Sequence, residues 1–179
     1  IAAAQLFSLR EAEAVTFGSA VHRLLAQVEW LDRASDVAKF EALWREAGEM
    51  DEVVAHAVGC LRAPELQQVW RRSGVNADVW RERTFECVLD DVWVTGVFDR
   101  VGVVRDAAGR AVAATVWDFK TDHFDADDAA ALAAAVRRHA AQLNLYRRVA
   151  AAFTGLAPES VAAELVFARA GVVADVPRT

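Results

Sequence analysis

The sequence predicts an α/β domain in which a mixed β-sheet is flanked by helices. Three observations carry that expectation. Apolar residues recur at helical spacing through the first part of the chain, and from Val79 the texture changes to three consecutive β-type runs. A long alanine-rich helical stretch then separates those runs from a last pair of strands.

Taken in order, Phe17, Val21, Leu24, Leu25, Val28 and Leu31 fall on one helical face and predict a helix from about Leu6 to Leu31. Two more are expected over Ser35 to Ala47 and Asp51 to Leu61, the second opening on an acidic turn that suits the positive end of a helix dipole. A short helix from Pro64 to Arg72 places Pro at an early helical position. "RSGVNADV" reads as a loop. The strand runs are "VWRERTFECVL", "VWVTGVFDRVGVV" and "AVAATVWDFK", with "DAAGR" as a tight turn between the last two. A helix is expected from about Ala126 to Phe153, ended by "GLAPES", and "VAAELVFARA" and "VVADV" form the closing strand pair.

With 179 residues, of which 55% are hydrophobic, the chain fits one domain with a sizeable core. No apolar run approaches the roughly 18 residues of a membrane-spanning helix, so no membrane is expected as a partner. No signal-peptide pattern opens the chain. It starts at Ile1 rather than Met, as expected of a processed product or a piece of a longer polypeptide. Cys60 and Cys87 form no CxxC pair and suggest reduced thiols in a cytosolic protein. The formal net charge of −6 argues against a sequence-wide grip on nucleic acid, so any contact with DNA must be local or assisted by a partner.

The twenty basic residues include only two lysines, Lys39 and Lys120. Lys120 ends an apolar strand, in "VWDFKTD", and a lysine there in an arginine-rich chain suggests a task for a compact ammonium that a planar guanidinium would not perform. Folding the two middle strands about the centre of "DAAGR" brings together residues whose numbers sum to 217, so Asp99 is expected opposite Asp118. Alternation then puts Asp99, Asp118 and Lys120 on one face and Phe98 and Phe119 on the other. Directly opposed carboxylates repel one another, and a divalent cation relieves the repulsion; hard oxygen ligands suit Mg²⁺ or Mn²⁺. The alternative is a solvated strand end with both aspartates paired to Arg100 or Arg83.

"GVFDRV", "DFKTD" and "QLNLY", in that order, resemble the RecB-type nucleases of the PD-(D/E)xK superfamily, which include the C-terminal nuclease domains of RecB- and AddA-like helicase–nucleases. "FGSAVHRLL" is similar to that family's N-terminal helix, "WRERTF" to its acidic strand, and "VAAELVFARAGVV" to its closing strands. The resemblance covers nearly the whole chain. It implies a restriction-endonuclease-like fold and hydrolysis of DNA phosphodiesters with Mg²⁺ or Mn²⁺, of the exonuclease V type. It also implies that residues 1–179 are one nuclease domain within a longer helicase–nuclease chain. In such an enzyme DNA ends, expected to be single-stranded, would be delivered by the helicase portion, with a second subunit as a possible partner.

Carried over to this sequence, Asp99 and Asp118 would hold the metal, with the Phe119 carbonyl and His22 as further ligands. Glu82 would sit close by, Lys120 would orient or activate the attacking water, and Gln142 and Tyr146 would line the site. The residues have their own physics. Gly18 lies one turn before His22 and leaves bare backbone that a strand or a phosphate could approach. Gln142 and Tyr146, four apart, share a helix face. Glu82 alternates with Trp80, Thr84 and Glu86, and a one-residue slip would put Arg83 in its place. Arg137, Arg138, Arg147 and Arg148 form two pairs, read either as phosphate contacts or as a solvated helix face. Asp122 and His123 are loop residues near the expected DNA path. G-x-S-x-G, a nucleophilic Cys/His signature, zinc spacing and Walker A are all absent from the sequence. Two other readings stay open: a non-catalytic DNA-binding or scaffold domain of the same fold, and a hydrolase of small phosphoesters.

Overall fold

A computed structural model describes residues 17–33, 35–122, 124–125 and 127–178. The expectations for residues 6–16, His123 and Ala126 lie outside the described residues. Helix α1 covers residues 17–25. It is followed by α2 (Asp36–Glu46), α3 (Asp51–Arg62), a 3-10 turn (Pro64–Leu66) and α4 (Gln67–Trp70). Strands β1 (Ala77–Leu89), β2 (Val92–Arg105) and β3 (Ala111–Lys120) come next, then α5 (Ala129–Thr154), β4 (Val161–Phe167) and β5 (Val172–Asp175).

The sheet runs β1-β2-β3-β4-β5. Every neighbouring pair is antiparallel except β3 and β4, which are parallel. A parallel pair needs a crossover, and α5 supplies it. Asp128 starts that helix by accepting the Ala131 N–H, and Gly155 ends it with φ +73°. One sheet face packs against α5 through Phe98, Val101, Val116, Leu165 and Phe167. The other packs against α1, α3 and α4 through Trp117, Phe119 and Val166. On that face Phe119 stacks on Trp70 with ring centroids 5.5 Å apart. Cys60 is buried there, its thiol pushed up to about 12 by burial, and both cysteines are free. Among the described residues no helix is long and apolar enough to cross a membrane.

The first helix ends earlier than its apolar spacing predicts. Val28 and Leu31 are buried, yet they lie beyond residue 25 in non-helical chain. The carbonyls that a longer helix would use internally are taken from outside. Arg81 Nη1 donates to the carbonyls of Ala26 and Gln27. Buried Arg100 donates to those of Val28, Glu29 and Val69. Arg100 is therefore committed to the helical side of the sheet, and the alternative in which it pairs with the aspartates does not hold.

The β2–β3 register follows the sum of 217 from Arg100↔Trp117 to Val104↔Ala113. Two irregularities cancel to produce it. The loop of residues 106–110 is odd in length, and Arg105↔Ala111 sums to 216. A bulge at the Val104/Arg105 step, with Val112 as the extra residue, restores the expected register. Asp106 organises the loop by accepting the N–H groups of Ala108 and Arg110, and Gly109 adopts φ +79°.

Candidate metal centre and active site

The ladder between β1 and β2 pairs Arg81 with Arg100 and Arg83 with Phe98, and skips the step between them, where Glu82 meets Asp99. Glu82 has φ +44° there, a left-handed conformation that is uncommon for a non-glycine residue. Side-chain alternation changes phase at this step in both strands. Arg81 and Arg100 turn toward α1, while Phe85 and Phe98 turn toward α5. The expectation that Phe98 shares a face with Phe119 is therefore corrected. Phe98 packs with Phe85 and Tyr146 under α5, and Phe119 packs with Trp70 and His22 under the opposite helices.

The same break turns Glu82 and Asp99 toward His22 of α1. Ligand atoms of His22, Glu82 and Asp99 all lie within 4.8 Å of one another. His22 Nδ1 is 3.8 Å from Asp99 Oδ2, and that oxygen also accepts the Phe119 backbone N–H at 2.8 Å. The Phe119 carbonyl lies beside His22 and favours its charged form. Gly18, one turn before His22, lets α1 approach the end of β3. A Cβ built on it would meet the Thr121 side chain at 3.2 Å, so a strand end rather than a phosphate fills its bare face.

Asp118 lies one residue past the last β2–β3 pair, beside Asp99, and is 2% exposed. It stands outside the His22, Glu82 and Asp99 trio. Its Oδ2 forms an ion pair with Lys120 Nζ at 2.6 Å but has no aligned hydrogen-bond donor among the described residues. Lys120 Nζ also donates to Gln142 Oε1 at 3.3 Å, which ties β3 to α5. Tyr146, one turn further along α5, goes elsewhere: its ring meets Phe85 and Phe98 edge-on, away from the carboxylates.

The electrostatics follow from crowding. Burial first, and then the charge of Asp118, push Asp99 up to about 7, while the Phe119 N–H pulls it back. Glu82 is exposed at its rim, yet desolvation of its carboxylate raises it too. Burial lowers His22, with Asp118 opposing and Lys120 assisting. Acids gathered so that they resist ionisation are relieved by a bound cation. Two carboxylates, an imidazole and an under-coordinated buried carboxylate oxygen fit a divalent ion with oxygen and nitrogen preference.

The four arginines of α5 divide differently from either expectation. Arg138 pairs with Asp122 at 2.6 Å and Arg148 pairs with Asp90. Arg147 is buried and donates to the carbonyls of Val161 and Val176. Three of the four are thus committed within the fold. Arg137 is exposed. Asp122 is fixed to α5 by Arg138, with His139 Nε2 3.4 Å from its carboxylate.

No curated protein matches the chain. The family model described as the PD-(D/E)XK nuclease superfamily matches residues 3–177. Members of that superfamily are generally metal-dependent nucleases, and the five-stranded mixed sheet flanked by helices agrees with the restriction-endonuclease-like α/β fold. With a match that leaves out only two residues at each end, and with Asp99, Asp118 and Lys120 gathered where the pairing of β2 with β3 ends, the chain belongs to the PD-(D/E)XK nuclease superfamily.

Proposed function

We propose that the protein is a Mg²⁺- or Mn²⁺-dependent deoxyribonuclease of exonuclease type, the nuclease module of a RecB/AddA-like helicase–nuclease that processes double-strand breaks in the cytoplasm. The observation that carries this reading is the juxtaposition of two units. One is the His22, Glu82 and Asp99 ligand set; the other is the buried Asp118 with Lys120 at 2.6 Å.

In this reading His22, Asp99 and Asp118 hold the cation, with the Phe119 carbonyl beside them and Glu82 completing the set. A divalent ion there supplies positive charge at a phosphoryl oxygen and a more acidic water. The remaining work falls to the chain. Lys120 places an ammonium next to the ligand carboxylates, where it orients the attacking water and offsets charge developing on the phosphate. Gln142, accepting from Lys120, limits where that ammonium can point. Tyr146 supports Phe98 from below, so its contribution is to the packing that holds β2 in place. DNA ends reach the site from a helicase portion of the same chain, with or without a second subunit.

The experiment is digestion of end-labelled single-stranded DNA with Mg²⁺, Mn²⁺ or chelator. Metal-dependent release of short products from the ends supports the proposal. Intact DNA under all conditions, from a folded protein, leaves the non-catalytic scaffold as the reading.

A further inference from the structure

Beside the metal centre lies an open groove of about 600 Å³, lined by Ala26, Gln27, Trp80, Arg81, Glu82 and Arg83. Glu82 belongs to both, and Ala26, whose N–H donates to the His22 carbonyl, lies just past the end of α1, one turn beyond His22.

The groove carries a local charge opposite to that of the chain. Arg81 and Arg83 flank the single carboxylate of Glu82 in a protein whose formal net charge is −6. The two arginines differ in what they can still do. Arg81 is anchored by Nη1 to the carbonyls of Ala26 and Gln27. The Arg83 guanidinium lies over the Trp80 ring, 4.1 Å from its centroid, and among the described residues it makes no hydrogen bond or ion pair. Trp80 in turn rests against Phe98, with centroids 6.1 Å apart. Arg83 is therefore held by stacking, which leaves its N–H fork open. Elsewhere the cations near the site are committed: Lys120 to Asp118, Arg138 to Asp122, and Arg23 to Glu49.

An arginine held over an aromatic ring, with its donors unspent, is pre-organised to meet two oxygens of a phosphate with its N–H fork. We propose that this groove receives the backbone of a single DNA strand immediately beside the scissile phosphate, with Arg83 as the phosphate contact and Trp80 as the platform that holds it. The inference rests on the nuclease reading for the direction of the strand, but its binding step does not need hydrolysis. An exposed strand-borne cation flanking an acidic metal centre also explains how an acidic protein holds a polyanion: the grip is local.

Fluorescence anisotropy with a labelled oligothymidylate in chelator tests this without cleavage. Arg83→Ala is expected to weaken binding about tenfold and to lower the slope of log affinity against log salt by about one. Arg83→Lys keeps the charge and loses the stacked fork, so it should retain the salt slope with reduced affinity. Arg137→Ala, an exposed cation outside the groove, should change neither. Arg83 is exposed, and a thermal melt matching the wild type confirms that the variants fold. Unchanged affinity in Arg83→Ala, or a wild type that binds no oligonucleotide, overturns the inference. A wild type that binds through Arg83 yet cleaves nothing with Mg²⁺ or Mn²⁺ supports the groove and overturns the nuclease reading.

Discussion

Lys120 Nζ lies 2.6 Å from Asp118 Oδ2, and the carboxylate is the more buried partner, with 4% of its side chain exposed against 18% for the lysine. The lysine is thus the near counter-charge of a buried acid as well as a candidate for the chemistry. These two roles separate under substitution. Lys120→Ala should abolish nuclease activity and also lower stability by about 3 kcal/mol, because a buried charge is left without its partner. Asp118→Asn should lose activity by at least about a hundredfold while keeping the fold. Lys120→Arg should also be inactive, since the larger fork does not fit where a compact ammonium sits against Gln142. Nuclease assays beside circular dichroism melts check this. Wild-type digestion by any of the three would remove Asp118 and Lys120 from the mechanism.

The element order was legible because local signals carry it: alternating apolar runs, the Asp106 and Gly109 turn, and a long alanine-rich helix between strands. The register itself came out through a cancellation. The odd loop alone would have set Asp99 against Trp117, and the extra residue Val112 returned it to Asp118. Nothing in "DAAGRAVAA" announces that bulge. Two features depend on contacts distant in sequence and left no local trace. Residue 25 ends α1 because Arg81 and Arg100, far along the chain, take the carbonyls beyond it. The phase change at Glu82 and Asp99 occurs at a glutamate with φ +44°, a conformation usually marked by Gly or Asn. That unmarked step decides which carboxylates face His22, so ideal alternation misplaced Phe98 and undervalued Glu82 as a neighbour of Asp99.

The hairpin below that step depends on a second backbone feature. Gly96 lies under the rings that support Phe98. A Cβ there would sit 2.5 Å from Phe85 Cζ and 3.1 Å from the Tyr146 hydroxyl. Gly96→Ala should destabilise the domain by about 1–3 kcal/mol through overpacking. Tyr146→Phe in the same background relieves the contact to the hydroxyl and should recover a minor part of the loss, since Phe85 remains. Urea melts of the single and double variants test this. A Gly96→Ala protein as stable as the wild type would show that the two rings are not packed as described.

Asp99 makes stability depend on pH in the metal-free protein. Its folded-state value, about 7, stands above the ordinary 3.8, so the folded chain retains a proton that the unfolded chain has released. The unfolded state therefore binds fewer protons across that window, and stability falls as pH rises from about 4 to about 7. The ceiling on this effect is ~4 kcal/mol, at about 1.4 kcal/mol for each tenfold change in acidity. His22 acts in the opposite sense just below 6.5, because burial lowers it and the folded state disfavours its proton. Comparison with Asp99→Asn isolates the carboxylate: the variant should be the more stable protein at pH 8 and lose that advantage at pH 4. Melts in chelator across this range check the sign. An advantage that persists at pH 4 would mean that Asp99 ionises normally in the folded protein.

A divalent ion should reverse that penalty, because it replaces the proton as the relief for crowded carboxylates. Binding to the folded state alone stabilises by about 2.7 kcal/mol at a hundredfold excess over Kd. For a domain of this length each kcal/mol moves Tm by about 2–4 °C, so saturation with Mn²⁺ should raise Tm by about 5–10 °C. The gain should be larger at pH 8 than at pH 5, where Asp99 holds its proton against the metal. His22→Ala, which removes the imidazole from the trio, should reduce the response, and Asp99→Asn should nearly abolish it. Glu82→Gln separates a direct ligand from a bystander, since only a ligand's loss weakens the Mn²⁺ shift. Thermal melts with chelator and with Mn²⁺ measure all four proteins. Equal shifts in wild type and Asp99→Asn would mean that the ion binds somewhere other than the junction of Glu82, Asp99 and His22.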